Sequence, residues 1–444
     1  KTAYEIGVRL VGSEMCIRDS SVIYNKMKNP ITLTQKMLFV FLPFSAGYFL
    51  SYVYRSTNAI LAPYLNQDLG INAEQLGLIT SVYFLTFALF QLPLGILLDK
   101  FGARKVQTVL FVIASLGASL FALGDSVFSL TVGRGLIGLG VSGALRGAFK
   151  AMSIWFPKER LSLLVALFLA VGGLGAISAS SPLEYLLQIT DWRTIYFALS
   201  LTTLIVGFLI FIIVPEKKII YEKEEPVLKV LKIIYTNYHF WRAGPLAGLV
   251  GGTTMAIQGL WAGPWLADVG KFSQTEIAEI LFLFTISMTI GIILMGIISD
   301  NLRRKNISTI SVMVGMIIIL IIPTAVITFG LLPKAIWPWV LFSLTSFCAT
   351  LSYSGLSDYF PLNYAGRVST AVNLITFMVA FIAQYAIGAI MQFIEPGKMT
   401  GYSLFSYQVS FGVFLGLIIV LLINYFIMTY FKSTKDNVSG IPKE

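Results

Sequence analysis

The sequence predicts an all-α membrane protein, with twelve transmembrane helices in two pseudo-symmetric six-helix bundles. Three observations carry this: composition, the count of apolar runs, and an internal repeat. The chain of 444 residues is 56% hydrophobic and only 12% charged, where soluble chains carry about a quarter charged residues. Its mean hydropathy is +0.80. At about 20 residues per membrane-crossing helix, the apolar share suffices for roughly twelve spans. Soluble enzymes, nucleic-acid binders and secreted disulfide scaffolds are poor fits to such a chain.

Apolar runs broken by charge, Gly and Pro fall at 37–65, 76–98, 106–124, 129–153, 162–187 and 193–214, then at 243–267, 277–298, 307–330, 336–358, 367–394 and 404–430. These runs divide the chain into a tail (1–36), a first bundle (37–214), a linker (215–242), a second bundle (243–430) and a second tail (431–444). Within the first tail, the stretch before Met27 reads as neither span nor signal peptide and is expected to be non-native. The linker interleaves Glu222, Glu224 and Glu225 with lysines, which suits an amphipathic helix at the interface.

The net charge of +10 is spread through short loops, a pattern of membrane orientation rather than of nucleic-acid binding. With the N-terminus cytoplasmic, the inner loops hold Lys100, Arg104, Lys105, Lys158, Arg160, Lys217, Lys218, Lys223, Lys229, Lys232, Arg303, Arg304, Lys305 and Arg367. The outer loops hold only Arg193, Lys271, Lys334 and Lys398. Both termini are therefore expected in the cytoplasm of a multi-pass protein, with a bacterial inner membrane as its setting. Cys16 and Cys348 give neither a disulfide nor a metal pattern, and His239 reads as a solvated loop residue. No metal or cofactor is expected.

Sliding one half of the chain along the other exposes the repeat. Ala62-Pro63-Tyr64-Leu65 matches Gly263-Pro264-Trp265-Leu266, and Gly95-Ile96-Leu97-Leu98-Asp99 matches Gly296-Ile297-Ile298-Ser299-Asp300, both at an offset of 201. Trp155-Phe156-Pro157 then matches Tyr359-Phe360-Pro361 at 204. Duplicated six-helix bundles imply a substrate site at their interface near mid-membrane.

The loop after the second span runs Gly95-Ile96-Leu97-Leu98-Asp99-Lys100-Phe101-Gly102-Ala103-Arg104-Lys105. It resembles the signature loop of the major facilitator superfamily, and the resemblance extends over about residues 37–430. Arg134-Gly135 with Gly138 and Gly140, the loop Trp155 to Arg160, and Asp191-Trp192-Arg193 support it. The resemblance implies a latch that loosens during alternating access, a role it carries to Gly95, Asp99, Arg104 and Asp300. In the second copy Arg303 replaces the second glycine.

An ionisable group inside a span costs about 2.5–3.5 kcal/mol on insertion scales, so each is a functional candidate. Tyr48, Tyr52 and Arg55 recur at i, i+4 and i+7 on one helix face, which suits an anion clamp with phenol donors; Arg55 snorkelling to the outer interface is the alternative. This stretch also resembles the first span of the organophosphate:phosphate antiporters. In the second half Gln258, Trp261 and Trp265 share a face, and the absence of a second arginine there counts against phosphate.

Arg134 is expected to serve structure and gating or to touch substrate. Arg146 and Lys150 share a face in the inner half and either line a hydrated vestibule or snorkel. By depth, Arg55 and Arg146 read as separate stations rather than as one grip. The clear carboxylates within spans are Glu184, a coupling candidate, and Asp358. Coupling passes through Glu184, through a protonatable substrate, or is absent. The glycines Gly172, Gly173 and Gly175, and Gly138, Gly140 and Gly143, read as packing positions.

The expected activity is secondary transport of a small organic anion or zwitterion by rocker-switch alternating access. Its expected partners are the substrate, the bilayer and a coupling proton or counter-anion, with no nucleic acid and a monomeric state. A ligand sensor on the same scaffold, or a facilitator or exchanger of amino acids or short peptides, is the alternative. A membrane enzyme is disfavoured because one His and two isolated Cys supply no catalytic set.

Overall fold

The structure, a computed structural model, describes residues 32–215, 227–361 and 364–438. The stretch before Met27, Cys16, residues 216–226 of the linker and residues 439–444 lie outside the described residues. The described chain is helical throughout. Nine of its helices are long and apolar enough to cross a membrane, and a bent pair makes a tenth.

Chain order explains the arithmetic. Helix α1 (Leu33–Ser56) and α2 (Asn58–Leu69) form one span interrupted at Thr57. Helix α3 (Ala73–Leu123) joins two spans at Gly102, whose φ of 80° only glycine adopts without strain. Then come α4 (Val127–Trp155), the bent pair α5 (Lys158–Ser178) and α6 (Ser181–Ile189), and α7 (Trp192–Ile213). The short helix α8 (Val227–Thr236) is the described part of the linker. Helix α9 (Tyr238–Ala256) continues through a π-helical turn (Ile257–Trp261) into α10 (Ala262–Asp268) as one interrupted span. Four spans follow: α11 (Gln274–Arg303), α12 (Thr309–Phe329), α13 (Trp337–Ser357) and α14 (Ala365–Ile394). Helix α15 (Leu404–Val438) outruns its expected span by two turns. With α3 counted twice and α9–α10 once, the set fits twelve.

The outward faces carry large apolar side chains, such as Leu116, Phe208, Ile293 and Ile297, in the open, as lipid-facing helices require. Inside each set the helices pack α3 on α4 and α7, and α1 on α5; then α9 on α14, and α11 and α12 on α13. Helix α3 meets α14, and α11 meets α5 and α6, across the middle.

At the end away from the basic loops, backbones meet directly. Pro63 lacks an amide, so the Ala59 carbonyl four residues earlier is free of its helical bond, and Gly263 packs against that carbonyl. Gly388 packs in the same way against the Ala73 carbonyl. Tyr385 donates to Glu74 at 3.0 Å and Ser181 to the Ala278 carbonyl at 3.2 Å across the same seam.

The loop after α14 is fastened at this end by Glu395, which accepts from the Ser403 amide, Ser406 and Lys398. Burial alone would raise its pKa, but these donors outweigh it and hold the carboxyl at about 2. Because the folded value lies below the unfolded 4.5, this contribution is full above about pH 4.5 and fades as pH falls toward 2. Hydrogen exchange of residues 395–406, corrected for intrinsic rates, should therefore quicken over that window, and Glu395→Gln should flatten the response.

Candidate functional site

Helix α1 carries Tyr48, Tyr52 and Arg55 toward the middle of the bundle. Tyr48 is buried, stacked on Phe168 of α5 at 4.5 Å, with its ring edge-on to Tyr52 at 5.0 Å. The Arg55 guanidinium lies over three rings: Tyr52 at 4.9 Å, Phe87 of α3 at 5.6 Å and Phe377 of α14 at 5.5 Å. Its Nε is buried without a hydrogen-bond partner, and no acidic side chain pairs with it among the described residues. Phe87 and Phe377 are themselves buried and come from the two different sets of helices, so the charge stands where the sets meet. A cation held by ring faces keeps its forked N–H groups for an anion.

Arg146 on α4 donates to the Gln91 carbonyl at 3.3 Å and to Thr370 of α14 at 2.8 Å, and so ties the two sets together at the basic end. The hydroxyl of Tyr353 on α13 donates to Asn373 of α14.

Lys150 departs from its expected place in the substrate set: it pairs with Asp99 of the signature loop. Spacing along α4 put it on the face of Arg146, but the carboxylate that captures it comes from another helix, which the spacing on α4 does not disclose. Arg104 lies over the Phe211 ring at 5.0 Å, and the Cβ position of Gly95 is in open space. In the second copy the charges are inverted. Asp300 is exposed, whereas Arg303, which stands in the glycine's place, reaches Asp358 at 3.4 Å.

Arg134 is fully buried. It donates to the Tyr54 carbonyl at 3.0 Å and to the Asn58 side chain, between the rings of Phe121 and Tyr196. It pins the α1–α2 break to α4 and is kept from the centre by those rings. Arg134→Ala removes two buried charge-assisted hydrogen bonds and leaves the Asn58 side-chain oxygen without its Arg134 donor, while the Tyr54 carbonyl keeps Thr57; it should cost about 3 kcal/mol of stability. Thermal unfolding checks this, with ligand affinity per folded molecule unchanged.

Gln258, Trp261 and Trp265 do not share one neighbour. The extra residue of the π turn changes the helical register: Gln258 meets Met288 of α11, Trp261 donates to the Gln384 carbonyl of α14 at 3.0 Å, and Trp265 packs edge-on to Trp339 of α13 at 5.1 Å. Glu184 is buried on α6, where it accepts from Tyr64 at 2.8 Å; its other oxygen has no partner. His239 is half-buried and stacks on Tyr359 at 4.0 Å, not solvated in a loop. No group of residues able to hold a metal occurs among the described residues.

Sequence reasoning missed Thr370, Tyr353, Asn373 and Gln384. The available signal was neutral polar residues inside apolar runs, which a search for charges passes over.

A helical membrane bundle with interrupted spans and a ring-held cation between two sets of helices defines the class. The family described as Major Facilitator Superfamily matches residues 44–384, and the chain belongs to it. It is 28% identical over 157 residues to the probable sulfoacetate transporter SauU of Cupriavidus necator, covering 35% of this chain and 36% of that one. It is 29% identical over 208 residues to the hexuronate transporter of Bacillus subtilis, covering 47% of each. The matched stretch is thus a third to a half of these relatives' length. Among solved structures, the inward-facing, unoccupied bacterial homologue of the human lysosomal transporter spinster superposes with a TM-score of 0.71 at 15% identity, over 90% of this chain and 98% of that one. That likeness speaks for the fold.

Proposed function

We propose that the chain is a secondary transporter of small organic anions, working by rocking of residues 37–214 against 243–430 about the Arg55 centre. The observation that carries this is a guanidinium with its Nε buried and unpaired and no carboxylate partner among the described residues, touched by rings from both sets of helices. Such a charge is costly unless an anion completes it. An anion bound there gains contacts with both sets at once, which gives it the differential affinity that drives a conformational shift. The names of two relatives, sulfoacetate and hexuronate transporters, agree with an acid as cargo.

In this reading Tyr52 and Arg146 border the path, Lys150 with Asp99 forms the latch, Arg303 with Asp358 its inverted counterpart, and Glu184 carries a coupling proton. Both termini face the cytoplasm of a bacterial inner membrane, and the working unit is a monomer. The test is uptake of labelled organic acids into proteoliposomes. Saturable, protein-dependent flux upholds the proposal; ligand binding without flux identifies a sensor instead.

A further inference from the structure

Above the Arg55 centre, at the junction of α1, α3, the π turn and α14, stands Gln384. It is fully buried, yet neither its Nε2 nor its Oε1 has a hydrogen-bond partner. A primary amide offers two donors and two acceptor sites, and leaving all of them empty in the interior is expensive. The side chain stands close to Gly259 of the π turn. A Cβ on Gly259 would stand 3.9 Å from Gln384 Oε1, 3.9 Å from the Arg55 carbonyl oxygen and 3.9 Å from the Phe84 ring. The amide oxygen therefore stands where both sets of helices meet, and the absence of a side chain at Gly259 leaves it uncrowded.

Position along α14 adds a length. Phe377, one of the rings on Arg55, and Gln384 are seven residues apart on one face, about 10 Å at 1.5 Å per residue. An acid whose carboxylate meets Arg55 and that lies along α14 brings its far end toward the amide. An apolar tail there would bury the unpaired amide permanently, whereas hydroxyls satisfy it.

We infer that Gln384 is a specificity-determining residue that reads the hydroxyl groups of the transported acid, and that the preferred cargo is a polyhydroxylated carboxylate. This rests on the organic-anion reading, in which Arg55 takes the carboxylate. Gln384 acts from the second set of helices and Arg55 from the first, so a hydroxylated acid bridges them and a plain acid does not.

The experiment uses the purified full chain in nanodiscs and two probe pairs matched in carbon chain and charge, L-tartrate with succinate and D-gluconate with hexanoate, with affinities from calorimetry. In the native protein at least one hydroxylated member should bind about tenfold or more tighter than its partner. Gln384→Leu should erase that preference by weakening only the hydroxylated member, whereas Arg55→Ala should weaken both members. Without ligand, Gln384→Leu should melt at or above the native temperature, because it removes an unsatisfied amide. A merely structural glutamine would do the reverse. Gln384→Met, close in length, is the second variant; if both variants melt below the native protein, the amide is structural and the inference fails. It also fails if the native protein binds both members of each pair alike, or if the preference survives Gln384→Leu. Binding of none of the four probes overturns the organic-anion reading itself, and this inference with it.

Discussion

Replacing Arg55 with alanine should abolish organic-anion uptake, with a loss of binding upward of a hundredfold, while the protein remains folded. The magnitude follows from what the guanidinium offers. It presents a charged fork among ring faces, and each charge-assisted hydrogen bond to a carboxylate there is worth about 1.5–3 kcal/mol. Two such bonds lost together exceed the factor of a hundred. Arg55→Lys keeps the charge but not the planar fork or its fit against the rings of Tyr52, Phe87 and Phe377, so it should retain weak binding and stay well below the native protein. Stability should move the other way. The charge has no carboxylate partner among the described residues, so Arg55→Met removes a desolvation cost and should leave the ligand-free melting temperature unchanged or raised. Added organic acid should raise the melting temperature of the native protein and not that of the variant. Unchanged flux through Arg55→Ala would end the clamp reading.

Much of this molecule was legible in its residues, and the divide between what was and was not legible is physical. Span number and the signature loop follow from local properties, namely apolar length and a glycine between two spans, here at φ 80°. Arg55 could be picked out because an ionisable group in a span is rare enough to need a reason. Pairings between distant helices were not legible. Lys150 finds Asp99, Arg303 finds Asp358 and Arg134 finds the Tyr54 carbonyl, and in each case the partner's identity depends on how helices meet. The π turn at Ile257–Trp261 is a third kind of miss. A helical wheel assumes an unbroken 3.6-residue period, and one extra residue sends Gln258, Trp261 and Trp265 to three different helices.

Valine at Gly388 or Gly263 should stall transport by holding the far end open. Both glycines sit where the two sets of helices touch backbone to backbone, Gly388 on the Ala73 carbonyl and Gly263 on the Ala59 carbonyl. A side chain at either place collides with main chain, which cannot swing aside as a flexible side chain would. Overpacking of this kind costs about 1–3 kcal/mol. The penalty falls only on conformations in which the seam is shut, so the equilibrium shifts by roughly 5- to 150-fold toward the open far end. Alternating access needs both states, and a bias of that size against one of them should cut turnover about tenfold or more. Binding at Arg55 from the open side should persist, since neither glycine touches the clamp. A cavity of about 220 Å³ already lies over this seam, with Trp261 and Gly263 in its lining together with Asn66 and Asp268. A cysteine placed at Asn66 should therefore label faster in the Gly388→Val background than in the native one. Gly416→Ala is the control: its Cβ would meet nothing within 4 Å, and transport should be unaffected. If Gly388→Val transports normally, tight closure of this seam is not a required state of the cycle, and rocking about the Arg55 centre cannot be how the two sets of helices move.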